Sequence, residues 1–262
     1  MKWVVRFAVI ILSIAGGIYK MPVLPAASGD KDKSNIRYVA LGDSIAHGYG
    51  LSNPDEDSYA GRVTTYLREH YDYVFSANLG EDGLRSDELL EWLTDENNEN
   101  YQKCSQTLKN ADVVTISIGS NDLLHLINLG PGMVQEIQRE QYLFDEACDG
   151  FAVNFPQIIR AVKKISPKAK IYVGNIYNPC HGLALFEGVE AVAEEYIDKI
   201  NKVFQDSEDY EVIDVKDAFS NSDRKLINMA VNLERVDPHP NSDGHSVIGG
   251  LIIKKLMEAG VY

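Results

Sequence analysis

Cysteine is scarce in this chain, which has only Cys104, Cys148 and Cys180 among its 262 residues. Three cysteines allow at most one intramolecular disulfide, so a small fold held together by several bridges is excluded. None of them stands beside a histidine in a pattern typical of a cysteine nucleophile. If one bridge forms, we expect it to join Cys104 and Cys148, because these two flank the same predicted strand and the loop after it.

Basic residues are also few. The chain has 25 Lys and Arg against 39 Asp and Glu, which gives a formal net charge of −14. A chain this acidic repels phosphate backbones and anionic lipid headgroups. Nucleic acid is therefore not expected as a partner, and we expect the protein to be a monomer.

Long apolar runs are absent except for residues 7–18, near the amino terminus. Lys2 and Arg6 precede this run, as in a secretory signal peptide. The run is short for a membrane-spanning helix. We expect residues 1–27 to be a signal peptide or, as the alternative, an uncleaved membrane anchor, with a flexible leader over 28–35. Either way the folded part is expected to be secreted or extracellular, and only the first segment is expected to contact a membrane.

Internal repeats, low-complexity tracts and linkers are missing as well, and 45% of the residues are hydrophobic. Residues 36–262 are therefore expected to form one domain. Strand-like and helix-like segments alternate along it, which favours a three-layer α/β/α fold around a mostly parallel five-stranded sheet. The strands are expected at 36–41, 73–79, 111–118, 170–175 and 210–215. The helices are expected at 59–69, from Ser86 with that serine as the cap, at 133–165 with breaks near Gly150 and Pro156, at 188–205 and at 244–258.

Four segments beside the predicted strands and helices are rich in polar residues and glycine. Each has a structural explanation by itself, as a turn, a glycine hinge, a helix cap or a loop fixed by proline. The carboxyl ends of parallel strands border one crevice, however, so several such segments can meet there. The segments are Gly42-Asp43-Ser44, Asn78-Leu79-Gly80-Glu81-Asp82-Gly83, Gly119-Ser120-Asn121-Asp122 and Val236-Asp237-Pro238-His239-Pro240-Asn241.

Together these segments contain the groups that acyl transfer from an ester requires. That reaction needs a hydroxyl nucleophile, a base that takes its proton, and donors aimed at the developing oxyanion. Ser44 supplies a hydroxyl and His239 a base. The backbone N–H groups of Ser44 and Gly83 and the side-chain amide of Asn121 supply three donors. Because Gly83 has no side chain, an acyl oxygen can approach its backbone closely.

The same blocks, in this order, resemble those of the SGNH/GDSL hydrolase family. The resemblance covers residues 36–262 and rests on Gly42-Asp43-Ser44, the Gly83 loop, Gly119-x-Asn121-Asp122 and the Asp237/His239 segment. It implies a flavodoxin-like fold and hydrolysis of esters or thioesters without a metal or an organic cofactor. It also implies that Ser44 is the nucleophile and His239 the general base. By the same resemblance, Gly83 and Asn121 complete the oxyanion hole.

The last block departs from the family pattern. Asp237 stands two residues before His239, whereas the usual motif of the family is Asp-x-x-His. The acid of a serine triad orients the imidazole and stabilises its charged form. A shift of one residue can break that contact. Asp237 is therefore the expected acid, with Glu234 or a backbone carbonyl as the alternative.

The remaining histidines have structural explanations. His245 begins the last predicted helix and is expected to pack or cap there, and His47 is expected to be structural. A metal loop is not expected at the closely spaced Asp237, His239, Asp243 and His245, because metal sites need a preset ligand geometry. No metal is therefore assigned to this chain.

We predict a secreted serine ester hydrolase of the lipase/acylhydrolase kind, acting on a lysophospholipid or short-acyl ester through an acyl-enzyme on Ser44. The alternative within the enzyme class is an esterase that removes O-acetyl groups from cell-surface polysaccharide. A pocket lined by Leu123, Leu124, Leu126 and Ile127 would favour acyl chains, and an open polar groove with exposed tyrosines would favour sugars. The alternative of another class is a glycan- or lipid-binding module that keeps the fold without the catalysis.

Overall fold

The structure is a computed structural model that describes residues 35–127, 133–181, 187–205, 207–228 and 237–262. The predicted signal or anchor segment, the predicted leader up to residue 34, and Glu234 lie outside these ranges. Within these ranges, no helix is long and apolar enough to cross a membrane.

Five parallel strands form the central sheet. They are β1 (Asn35–Gly42), β2 (Tyr73–Gly80), β3 (Val113–Ser117), β4 (Lys170–Gly174) and β5 (Glu211–Ile213). Their order is β2-β1-β3-β4-β5. The chain leaves β1 on one side and returns on the other, so a crevice opens beyond the carboxyl ends of β1 and β3. The predicted sheet is confirmed, and it is parallel in every described pair.

Helices cover both faces of this sheet. They are α1 (Ser44–His47), α2 (Pro54–Asp57), α3 (Tyr59–His70), α4 (Ser86–Thr94), α5 (Tyr101–Leu108), α6 (Ser120–Leu124), α7 (Met133–Arg139), α8 (Gln141–Ile165), α9 (Glu187–Asn201), α10 (Val215–Ser220) and α11 (Ser242–Glu258). Successive residues of a strand point to opposite faces. Val39 and Leu41 of β1 accordingly join the core under α4, α5, α8 and α9, and Tyr38 and Ala40 join the core under α3 and α11. The three-layer α/β/α fold is confirmed.

The predicted helix breaks near Gly150 and Pro156 are wrong, because both residues lie inside α8. A proline cannot donate to the carbonyl four residues earlier. That carbonyl belongs to Ala152, whose exposed position leaves it open to water. The buried stripe that includes Phe151 and Phe155 continues through the proline. The observed break lies at Glu140, between α7 and α8.

The predicted disulfide between Cys104 and Cys148 is wrong, because all three cysteines are free and buried. Cys104 lies on α5 and Cys148 on α8, and both pack in the same apolar core. Burial raises the pKa of each of the three thiols to about 11. They therefore behave as small apolar side chains in the core.

Candidate active site

Ser44 lies directly beyond the carboxyl end of β1, as the first residue of α1. The chain turns sharply before it, where Gly42 has a φ of +132°. A Cβ at Gly42 would lie 1.8 Å from the carbonyl oxygen of Ser117, at the end of β3. The N–H of Asp43 donates to that carbonyl over 2.9 Å. The serine segment (residues 42–46) is therefore held against β3 by its own backbone, which requires glycine at position 42.

The side chain of Asp43 adds a second connection beneath Ser44. Its Oδ1 accepts hydrogen bonds from the N–H of Ile45 over 3.0 Å and from the hydroxyl of Ser117 over 2.9 Å. Its Oδ2 is buried and has no partner among the described residues. Burial raises the pKa of Asp43 to about 7, although the bonds from Ser117 and Ile45 oppose the rise. Asp43 is thus a buried carboxyl that orients the serine segment.

The imidazole of His239, which stands 195 residues after Ser44 in the chain, connects that serine to Asp237. Its Nε2 lies 2.8 Å from Ser44 Oγ, and its Nδ1 lies 2.7 Å from Asp237 Oδ1. Asp237 Oδ1 also accepts the backbone N–H of His239 over 3.0 Å. Asp237 therefore contacts the imidazole of His239, although the two residues have the shortened Asp-x-His spacing. The side chain of His239 is 21% exposed and that of Asp237 is 38% exposed.

The histidine segment (residues 237–241) is held mainly by other parts of the chain. The hydroxyl of Tyr177 donates to the carbonyl of Pro238 over 2.6 Å. The N–H of Asn228 donates to the carbonyl of His239 over 2.9 Å. Burial raises the pKa of Tyr177 well above its ordinary value, so this hydroxyl remains a neutral donor. Sequence reasoning missed Tyr177, although its position just after β4 was a usable signal.

Tyr49 covers one face of the His239 ring. The two ring centroids are 4.5 Å apart and the planes are tilted by 41°. The tyrosine is 46% exposed, so it lies at the rim of the site. Sequence reasoning missed this residue too, because no motif distinguishes it from an ordinary surface tyrosine.

Asn121 and Gly83 lie on neighbouring loops that one hydrogen bond connects. The Asn121 side-chain amide donates to the carbonyl of Leu84 over 3.1 Å. An amide carries two N–H groups, so one remains for a ligand. Gly83 precedes Leu84 and has a φ of +81°, and a Cβ there would meet nothing within 4 Å. The backbone conformation at position 83 thus favours glycine, and the close approach of an acyl oxygen to this residue stays a prediction.

Hydrogen bonds between Ser86 and Asp122 connect the loops of Gly83 and Asn121. The predicted capping role of Ser86 is wrong, because Arg85 is the cap and Ser86 is the first residue of α4. The Ser86 N–H donates to Asp122 Oδ2 over 3.1 Å, and its hydroxyl donates to Asp122 Oδ1. The Asn154 amide, on α8, donates to the same hydroxyl over 3.1 Å. Burial raises the pKa of Asp122, which the bonds from Ser86 oppose. This network holds α4, α6 and α8 together behind Asn121.

An apolar cavity of about 90 Å³ opens beside Ser44, His239 and Asn121. Leu123, Leu124 and Ile127, which follow the third motif, line it as predicted. Leu126 does not line it. Further lining comes from α7, α8 and α9, which sequence patterns give no reason to place here, and from the segment after β4, with Ile176, Tyr177, Pro179 and Cys180.

His245, Asp243 and His47 have partners of their own. His245 is buried, and its Nδ1 accepts the N–H of Tyr59 over 3.2 Å. Asp243 pairs with Arg224, and His47 lies 2.8 Å from Asp82. Across the described ranges, no group of three or more His, Cys, Asp or Glu side chains could hold a metal ion.

The sequence profile of the GDSL-like Lipase/Acylhydrolase family matches residues 40–247 of this chain. A relative from Bacillus subtilis (strain 168), the uncharacterized protein YpmR, is 27% identical over 235 residues. The aligned part covers 88% of this chain and 85% of that protein.

Solved structures of other proteins are similar to this chain in fold. The lipase Lip_vut3 from a goat rumen metagenome matches with a TM-score of 0.63 and 22% identity, over 84% of this chain and 96% of that one. An acetyl xylan esterase from Geobacillus stearothermophilus gives 0.56 and 20%, over 86% and 95%. An extracellular lipase from Streptomyces rimosus gives 0.56 and 20%, over 84% and 98%. At these identities the likeness shows the fold alone.

Proposed function

Because the chain belongs to the GDSL-like lipase/acylhydrolase family, we propose that it is a carboxylic ester hydrolase that works through an acyl-enzyme on Ser44. One observation carries the proposal. Hydrogen bonds run without interruption from Ser44 Oγ through the His239 ring to the Asp237 carboxylate, at the mouth of an apolar cavity. This is the arrangement that a serine nucleophile, its base and an orienting acid require.

The first half of the reaction transfers the acyl group to the enzyme. His239 donates its Nδ1–H to Asp237, which leaves Nε2 to take the proton of Ser44 Oγ. Ser44 Oγ then bonds to the ester carbonyl carbon, and the carbonyl π electrons move onto its oxygen. Collapse of this tetrahedral species restores the carbonyl and breaks the bond to the alcohol oxygen, which takes the proton from His239. The alcohol leaves and the acyl group remains on Ser44.

The second half repeats these steps with water. His239 takes a proton from a water molecule, whose oxygen attacks the acyl carbon. Ser44 Oγ is expelled and recovers the proton from His239. The carboxylic acid is released and the enzyme returns to its starting state.

Three donors stabilise the oxyanion in both halves. The N–H of Ser44 lies at the start of α1, ahead of the helical hydrogen bonds, and the Asn121 amide keeps one N–H beyond its bond to Leu84. The Gly83 N–H is the third. Removing one such donor typically costs 10²–10³ in kcat. We expect this loss for Asn121→Ala, measured as kcat on an activated ester, with no comparable rise in KM.

The apolar cavity favours acyl esters over sugar acetates as substrates. An acetyl group has a single methyl to bury, whereas the cavity continues past Ser44 into an apolar interior. The exposed ring of Tyr49 beside His239 is a feature that suits a sugar ring. The polysaccharide O-acetylesterase is therefore the second candidate, and a substrate panel separates the two.

Turnover of p-nitrophenyl acetate and butyrate by wild type and Ser44→Ala tests the catalytic assignment. We expect Ser44→Ala to lose several orders of magnitude in kcat, by analogy with other serine triads. A fluorophosphonate probe should label the wild type at Ser44 and leave Ser44→Ala unlabelled. Ser52→Ala, at an exposed serine eight residues away, is the matched control and should behave as wild type. Equal rates for wild type and Ser44→Ala, with no adduct on Ser44, would contradict the proposal and favour a binding module that keeps the hydrolase fold without the catalysis.

We also propose that the protein works outside the cytoplasm. The support is the basic start and apolar run of residues 1–18, which is typical of an export signal. Expression of the full chain followed by cell fractionation and amino-terminal sequencing tests this. Recovery of the uncleaved chain from the cytoplasm would contradict it.

A further inference from the structure

The wall of the cavity beside Ser44 includes one face of α9. Val189, Ala193 and Ile197 lie four residues apart on this helix and all line the cavity. Residues at this spacing share a helix face. From Val189 to Ile197 the helix advances by eight residue steps, or about 12 Å at 1.5 Å per residue. This length exceeds what an acetyl group needs.

The parts of the wall that α7 and α8 contribute are apolar as well. Ile137 on α7 and Phe144 on α8 line the cavity and are almost fully buried. Phe144 packs against Tyr196 of α9, with ring centroids 5.0 Å apart. Polar groups of the proposed catalytic machinery lie at the end where Ser44 and His239 are found, and the interior offers apolar side chains. A ligand that enters past Ser44 must therefore be hydrocarbon, because an unpaired polar group would lose its water without replacement.

Ala193 has the smallest side chain on the lining face of α9. Val189 and Ile197, one turn away on either side, are branched and larger. The small side chain of Ala193 therefore leaves space in the cavity beside the middle of this wall. A larger side chain at position 193 would project into that space.

We propose that the cavity receives the straight acyl chain of the ester substrate, of roughly eight carbons, and that Ala193 sets the length it accepts. An extended chain advances by about 1.3 Å per bond of 1.5 Å, so the seven C–C bonds of an eight-carbon chain extend about 9 Å and fit within the 12 Å wall, whereas a twelve-carbon chain of about 14 Å exceeds it. This inference rests on the proposed ester hydrolysis at Ser44 and adds the acyl class. Burial of each methylene is worth roughly a fourfold gain in kcat/KM.

The test is kcat/KM for p-nitrophenyl acetate, butyrate, octanoate and dodecanoate, each kept below its micelle concentration. Wild type should rise from acetate to octanoate and gain nothing further at dodecanoate. Ala193→Phe should lower the ratio of kcat/KM on octanoate to kcat/KM on acetate at least tenfold relative to wild type. Ala191→Phe is the matched control, because Ala191 lies on the same helix but is exposed and outside the cavity. It should keep the wild-type profile.

A second variant keeps the test decisive if Ala193→Phe fails to fold. Val189→Ala removes bulk from the same wall and should shift the best substrate toward a longer chain. A wild type that prefers acetate, or a folded Ala193→Phe or Val189→Ala with an unchanged chain-length profile, would overturn this inference. Acetate turnover that depends on Ser44 would leave the proposed hydrolysis intact in that case. Absence of Ser44-dependent turnover of every ester would overturn both.

Discussion

The serine segment and the histidine segment meet over one hydrogen bond, but they are held in different ways. The serine segment is buried, with Ser44 only 6% exposed, and its turn is set by the close contact of Gly42 with the backbone of β3. The histidine segment is partly exposed and depends on Tyr177 and Asn228, which come from other parts of the fold.

This difference has a physical consequence. Contacts between backbone atoms at a parallel strand end tolerate side-chain changes, because the register of the sheet maintains them. A segment positioned by a few side-chain bonds shifts when one of them is lost, and a displacement of about 1 Å can cost two orders of magnitude in rate. Conservative substitutions should therefore reduce activity more in the histidine segment than in the serine segment.

The largest difference between the two segments is expected for Asp237→Asn, in the histidine segment. An amide can donate to Nδ1 and so favour the wrong imidazole tautomer, which costs about 10⁴ in kcat in a serine triad. We expect a loss of 10³–10⁴ in kcat on p-nitrophenyl butyrate with little change in KM. Asp243→Asn, at an exposed acid six residues on, is the control. A loss below tenfold would show that Asp237 does not orient His239.

The corresponding change in the serine segment, Asp43→Asn, should act on stability instead. The folded state raises the pKa of Asp43 from 3.8 to about 7 by burial, so folding takes up a proton between these values. The free energy of unfolding therefore falls as pH rises through this window. Asparagine keeps an acceptor and carries no charge. The variant should match wild type near pH 4 and exceed it at pH 8, by up to about 4 kcal/mol.

Urea unfolding of both proteins at pH 4, 6 and 8 measures this difference, and kcat at pH 8 is the companion measurement. We expect Asp43→Asn to keep kcat within about tenfold, because its oxygen can still accept from Ile45 and Ser117. A stability difference that does not change with pH would contradict the assigned titration.

His245, six residues after His239, provides the opposite pH dependence. Burial lowers its pKa from 6.5 to about 4, so the folded state holds it neutral. Its contribution to stability is present above pH 6.5 and is lost as pH falls toward 4. The loss should reach about 3 kcal/mol at most. His245→Asn cannot take up that proton, so the urea midpoint of this variant should change less between pH 7 and pH 4 than the midpoint of wild type. The same change of the midpoint with pH in both proteins would exclude His245 as the cause of the loss of stability.

The smallest effect is expected for Tyr177→Phe. The change removes the 2.6 Å bond to the carbonyl of Pro238 and keeps the ring stacked on Phe219 at 4.5 Å. We expect kcat to fall about tenfold, the equivalent of one hydrogen bond, without a comparable rise in KM. Tyr172→Phe is the matched control, since that buried hydroxyl has no partner among the described residues. Equal kcat values for the two variants would remove Tyr177 from the support of the histidine segment.

Local patterns predicted the sheet well and the side-chain partners less well. The five strands were found because each is a short apolar run between turn residues. The predicted breaks in α8 are wrong because the rule for proline assumes that the lost carbonyl partner matters, and Ala152, which carries that carbonyl, is exposed. The prediction of Ser86 as a cap is wrong although serine at a helix start usually is one. Its actual partner, Asp122, lies 36 residues away.

Local sequence patterns were enough to predict the alternation of strands and helices and the set of groups that includes Ser44, Asn121 and His239. The sharp turn at position 42 likewise needs glycine for reasons of local sterics. These features follow from forces that act within a few residues, such as periodic burial and backbone sterics. The contact of Asp237 with His239 at the shortened spacing, and the place of α9 beside the cavity, are visible only in the complete fold. Such contacts depend on the register and crossovers of the whole sheet, which bring distant segments together.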